Sequence, residues 1–210
     1  MNKQVEPQDF VFDEIAEAAV AKAIADYPPG KQMSAVKTLL DIAQRQMARH
    51  TGSAWVPQAA MDVVAQRLGV APIRIYENAT FYTMFNAKPI GKYHLQLCTT
   101  TPCWLRGSDD VVSACKKASG IANFGQTSAD GLFTMTEVEC LGACVNAPIL
   151  QINDDYYEDM NGERAEALLN RLKAGEALPP AGSTIGRQAS APVTNQTTLL
   201  PANGPAESSC

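Results

Sequence analysis

The chain has 210 residues, is 46% hydrophobic and 19% charged, and carries a net charge of −5 at neutral pH. That composition suits one or two globular domains with real cores, and without a cluster of Lys and Arg it excludes the basic footprint of a nucleic-acid binder. No apolar run approaches a bilayer span, so no direct membrane insertion is expected, and Met1 to Phe10 has neither the basic n-region nor the apolar h-region of a secretory signal. The expected setting is a reducing compartment: a bacterial cytoplasm, or the matrix if this is a processed organelle protein. There, paired cysteines serve metal or redox chemistry more often than structural disulfides.

Residues 1–88 read as a helical bundle. Asp13 to Asp26 is Ala-rich, with Ile15, Val20 and Ile24, and stops at Tyr27-Pro28-Pro29-Gly30. Ser34 is a candidate cap for the next helix, in which Val36, Leu39, Leu40, Ala43 and Met47 recur at helical spacing. Pro57 and Gly69 bracket a third helix, and Pro72 starts a fourth that runs toward Phe85. In residues 89–177 the pattern changes. Tyr93, Leu95 and Leu97 alternate with His94, Gln96 and Cys98, predicting a half-buried strand. Ser108 with Asp109 and Asp110 is a good helix start; Val111, Cys115 and Ala118 share one face, and Gly120 ends it. Leu132 to Glu139 reads as a strand, Ile149 to Tyr157 as a hairpin, and Glu163 to Ala174 as a last helix. The order β-α-β-β-α suits a thioredoxin-like sandwich, giving an α+β protein. Residues 178–210, rich in Pro, Ala, Gly, Ser, Thr and Asn, are expected to form a disordered tail.

Four cysteines carry the chemistry. Cys98 and Cys103 are separated by four residues, Cys140 and Cys144 by three. Each pair can grip one metal ion from a single loop, and four thiolates are the usual ligand set of a [2Fe–2S] cluster. Zinc also takes four cysteines, although usually with two residues between them, and unligated thiols are a third reading. A thiol–disulfide enzyme would need C-x-x-C, which the chain lacks. Gly142 and Ala143 let backbone N–H groups approach sulfur, and Thr99, Thr100 and Thr101 offer hydroxyls that would help set a cluster's potential. Cys115 reads as a packed core thiol, and Cys210 ends the tail without a prenylation motif. His94 reads more simply as a satisfied strand histidine than as a donor near the cysteines. With no G-x-G-x-x-G and no P-loop in the chain, substrate chemistry would fall to a partner.

The runs Ala79-Thr80-Phe81-Tyr82-Thr83-Met84-Phe85, Pro89-Ile90-Gly91-Lys92-Tyr93, Cys98-Thr99-Thr100-Thr101-Pro102-Cys103 and Glu139-Cys140-Leu141-Gly142-Ala143-Cys144 resemble one family. It is the thioredoxin-like [2Fe–2S] subunit, of the 24 kDa type, of respiratory NADH:quinone oxidoreductase (complex I), and the resemblance covers roughly Phe10 to Gly175. It implies a thioredoxin-like [2Fe–2S] ferredoxin domain in which Cys98 and Cys103 bind one iron and Cys140 and Cys144 the other. It also implies a larger partner subunit that binds NADH and FMN, neighbouring subunits of a peripheral arm, and a place on the cytoplasmic side of the inner membrane. Related subunits serve NAD-linked hydrogenases and formate dehydrogenases. From another class, a zinc-stabilised structural adaptor remains open.

Overall fold

The computed structural model describes residues 6–193; residues 1–5 and 194–210, Cys210 among them, lie outside the described residues. The described chain separates into two compact units, 6–94 with 126–134 and 95–125 with 135–193.

In the first unit, α1 (Glu14–Ala25) starts at Asp13, whose carboxylate accepts the Ala16 N–H at 2.8 Å. The same carboxylate meets Arg49 at 2.9 Å and His50 at 3.0 Å. The Ala16 bond, then Arg49, holds the Asp13 carboxyl below its usual range. A 3₁₀ turn (Gln32–Ala35) leads into α2 (Val36–Thr51). Ser34, expected as the cap of α2, lies inside that turn and caps nothing. The turn's own backbone bonds, such as Ser34 N–H to Lys31 C=O at 3.0 Å, prepare the helix instead. Pro57 stands at the cap of α3 (Gln58–Leu68) and Gly69 ends it in the left-handed region, while Pro72 opens α4 (Pro72–Phe81). The apolar stripes meet in a core that includes Val20, Leu39, Leu40, Val64 and Ile75.

Among the described residues, the strands β1 (Tyr93–Cys98), β2 (Gln126–Thr127), β3 (Phe133–Val138), β4 (Leu150–Ile152), β5 (Asp155–Glu158) and β6 (Gly182–Ser183) form one sheet in the order β2-β3-β1-β4-β5-β6. β4 runs antiparallel to β1 and β5, and β6 parallel to β5. The second unit adds α5 (Thr101–Leu105), α6 (Ser108–Ser119) and α7 (Gly162–Lys173), the last two packed on each other. Gly162 permits that packing, since a Cβ there would stand 3.1 Å from the Asp110 carbonyl oxygen.

The structure departs from the sequence expectations in three further places. β1 is an interior strand of the sheet and is covered on both faces, with Tyr93, His94, Leu95, Leu97 and Cys98 buried and Gln96 intermediate, so neither face keeps the exposure that alternation predicts. Gly107, at φ 94°, takes the cap position of α6. Ser108 instead lies in the first turn, buried, with its hydroxyl lacking a hydrogen-bond partner. Within the segment expected to be a tail, Gly182 and Ser183 pair as β6 with β5, while residues 194–210 lie outside the described residues.

Gly91 is where the first unit tolerates no side chain. Its N–H donates to the Thr134 hydroxyl at 2.6 Å, and a Cβ would lie 2.7 Å from the Phe133 carbonyl carbon and 2.9 Å from the Leu132 carbonyl group. Backbone cannot step aside as a flexible side chain would. Gly91→Ala is therefore expected to cost about 1–3 kcal/mol, read as a lowered urea midpoint; an unchanged midpoint would contradict the close approach.

Candidate metal centre

The site lies in the second unit, where two loops end at the same edge of the sheet. β1 delivers Cys98 as its last residue. The backbone then turns through Thr99 and Thr100 into α5, with Pro102 in its first turn and Cys103 buried on its inner side. The Thr100 hydroxyl sits 3.1 Å from the Cys98 sulfur, and the Thr99 hydroxyl donates to Glu137 on β3 at 2.6 Å. Thus one of the three threonine hydroxyls reaches sulfur and a second ties the loop to the neighbouring strand.

The second loop follows β3. The Cys140 and Cys144 sulfurs are 3.3 Å apart, and the Gly142 N–H donates to the Cys140 sulfur at 3.4 Å. Gly142 adopts φ 83°, a left-handed conformation suited to glycine, which lets its amide turn back on the thiol. The Tyr156 hydroxyl on β5 donates to the Leu141 carbonyl at 2.9 Å and pins the loop from below.

The second segment also bears on the first-loop thiols. The Leu141 backbone helps lower Cys98 and the Ile149 backbone works against the rise of Cys103; both residues pack in the cluster that buries the two sulfurs. Cys98, Cys103, Ala147 and Ile149 form a small buried cluster flanked by Val138, Leu141, Ala143 and Tyr156, while Cys140 is exposed and Cys144 half-buried. The four predicted cysteines gather as two pairs. Among the described residues no three His, Cys, Asp or Glu side chains are arranged to hold a single ion.

Electrostatics separate the thiols. Burial raises the Cys98 pKa, but the Thr100 hydroxyl and the backbone donors outweigh it and leave the thiol below its usual value. Burial, then the hydrogen bond with Cys98, pushes Cys103 up to about 12. Cys140 raises Cys144 through their mutual hydrogen bond. Four thiolates at one place repel one another, so the set calls for cations to neutralise it. A donor set of thiolates approached by N–H and O–H groups fits a [2Fe–2S] cluster, whose sulfurs take such hydrogen bonds.

Other candidates have other roles. Cys115 is fully buried in α6, away from the two cysteine loops in sequence, and burial pushes it up to about 12. Trp104 is half exposed, its indole N–H donating to Asp109 at 3.1 Å, so it does not seal the site. Sequence reasoning missed α5, too short to show a period, and the contacts of Leu141, Ile149 and Tyr156, which only tertiary placement brings to the loops.

A sheet that brings two cysteine pairs to one edge is the arrangement of a known class. The sequence matches the thioredoxin-like [2Fe-2S] ferredoxin family over residues 20–173, and the chain belongs to that family. One relative, an NADH-quinone oxidoreductase subunit from Rickettsia bellii, is 50% identical over 165 residues, spanning 79% of this chain and 95% of that protein. NADH dehydrogenase [ubiquinone] flavoprotein 2, mitochondrial, from Dictyostelium discoideum is 43% identical over 204 residues, spanning 97% of this chain and 79% of that one. An air-oxidised NAD+-reducing [NiFe]-hydrogenase structure shares the fold at TM-score 0.54 and 23% identity; the match covers 66% of this chain and 23% of the hydrogenase chain.

Two predictions come from the buried groups. Cys115→Ala should leave the visible spectrum unchanged and cost about 1–2 kcal/mol of stability; bleaching would contradict its exclusion from the site. Burial lowers the His94 pKa to about 4. The unfolded imidazole takes up its proton near pH 6.5, so stability falls as pH drops from about 6.5 to about 4, by roughly 1.4 kcal/mol per unit. Between pH 7 and pH 5 the urea midpoint should fall further in the native protein than in His94→Gln; equal losses would refute this.

Proposed function

We infer that this chain is the electron-transfer subunit of an NADH:quinone oxidoreductase of the complex I type. Its one [2Fe–2S] cluster would be held by Cys98 and Cys103 on one iron and by Cys140 and Cys144 on the other. The observation that carries this reading is the gathering of the two loops, with Cys98 and Cys103 buried in one cluster against Leu141, Ala143 and Ile149 of the second segment and the Cys140 and Cys144 sulfurs 3.3 Å apart. The relatives named as parts of NADH dehydrogenases, at 43–50% identity over most of their length, support it.

When bound, the cluster supplies a one-electron acceptor. The chain's own residues do the rest. Gly142 aims its N–H at the Cys140 sulfur, where it would favour added negative charge. Thr100 adds a hydroxyl to Cys98. Val138, Leu141 and Tyr156 keep water from the Cys98–Cys103 side, while the exposed Cys140 side is open to a donor. The electron would come from FMN on a partner subunit that also binds NADH. Among the described residues no helix is long and apolar enough to cross a membrane. A subunit of this type would sit peripherally, on the cytoplasmic side.

Cys98→Ala and Cys144→Ala are each expected to abolish the brown colour and reduce bound iron to background in the purified chain. An intact visible spectrum in either variant would overturn the ligand assignment. Affinity isolation of the native chain should bring down a flavoprotein and quinone-reducing membrane subunits; a nickel or molybdenum subunit in their place would overturn the respiratory reading.

A further inference from the structure

The segment beyond α7, compositionally a tail, returns to the second cysteine loop. β6 pairs with β5, and the Thr184 hydroxyl donates to the Glu158 and Asp159 carbonyls at 2.9 Å each. Arg187 then reaches across the loop. One guanidinium nitrogen donates to the Val145 carbonyl at 3.2 Å and to the Asn146 side-chain oxygen at 2.8 Å; the other meets the Asp159 carboxylate at 2.8 Å. The Arg187 and Asp159 side chains are 10% and 5% exposed. Asn146 answers by donating its amide to the Ala189 carbonyl at 2.9 Å and to Glu158. The Ser183 hydroxyl closes the set, donating to Asp159 at 2.7 Å and accepting the Arg187 N–H at 3.1 Å.

Val145 and Asn146 share the 3₁₀ turn that begins with Cys144. We propose that residues 182–189 are a strap that fixes the Cys140–Cys144 loop in its ligating shape, with Arg187 as the positioning residue. The proposal rests on Cys144 being a cluster ligand.

The physics favours holding over tuning. Asp159 neutralises Arg187, so the pair adds little net charge near the thiols. Its fork geometry fixes three acceptors on two segments at once. Leu141 and Ala143 anchor the first half of the loop by packing, whereas Val145 in the Cys144–Asn146 turn is exposed, so the strap's polar contacts are what hold that turn. Groups that orient ligands in this way typically contribute 10–100-fold in metal affinity.

The test uses the full-length chain with its cluster in place. Iron release to a chelator is timed, and visible circular dichroism reports cluster geometry. Arg187→Met should release iron roughly 10–100-fold faster than the native chain and change the dichroism. Arg187→Lys, which keeps charge but loses the fork, should recover only part of the difference. Val64→Ala, which thins the helical core of the first unit, should leave release and dichroism unchanged, separating loop support from general destabilisation. Arg187→Met with Asp159→Asn removes both buried charges and guards against misfolding from an orphaned carboxylate. Ser183→Ala, milder still, should accelerate release in the same direction and decides the matter if the Arg187 variants do not fold.

Release within about twofold of native across these variants, well below the 10-fold expected of a ligand-orienting group, would overturn the strap. So would acceleration no greater than that of Val64→Ala. Cys144→Ala run alongside tells the two failures apart. If it retains iron, the ligand assignment falls; if it loses iron while the strap variants hold theirs, only the strap falls.

Discussion

Everything at the metal centre depends on β1 lying between β3 and β4. The register sets Leu97 opposite Leu150, which puts Cys98 at the level of Ile149, where β4 begins. The chain leaving β3 must therefore pass the end of β1 before it can enter β4. Cys140 and Cys144 are on that passage. Two loops far apart in sequence are brought together by strand order, and the packing of Leu141 and Ile149 with Cys98 and Cys103 is its local consequence.

The thiols' own energetics oppose this gathering. Burial raises Cys103, the hydrogen bond with Cys140 raises Cys144, and only Cys98 is lowered. Bound irons would reverse the balance, turning mutual repulsion into ligation. The Gly142 N–H on Cys140 and the Thr100 hydroxyl beside Cys98 would answer part of the remaining charge.

Much of the fold was legible because its signals are local. The 3.6-residue stripe of α2, the proline and glycine around α3, and the alternation through Tyr93, Leu95 and Leu97 need no tertiary knowledge. The site was legible for a different reason: two cysteine spacings on two predicted loops leave few chemistries open. Failures occurred where neighbours override local preference. Ser34 and Ser108 carry capping side chains, yet a preceding 3₁₀ turn and a left-handed Gly107 do that work. The two-residue β6 has no pattern to detect. Arg187 looks like a solvated charge in a low-hydrophobicity stretch, and only the fold shows Asp159 and Asn146 waiting for it.

The most direct test of cluster ligation by these four cysteines is an EPR and metal analysis of the anaerobically purified chain, before and after dithionite. The expected result is a brown protein with two irons and two acid-labile sulfides per chain, EPR-silent when oxidised and giving a single rhombic signal when reduced. A colourless, EPR-silent protein holding one tightly bound zinc would contradict it and make the four cysteines a structural clasp.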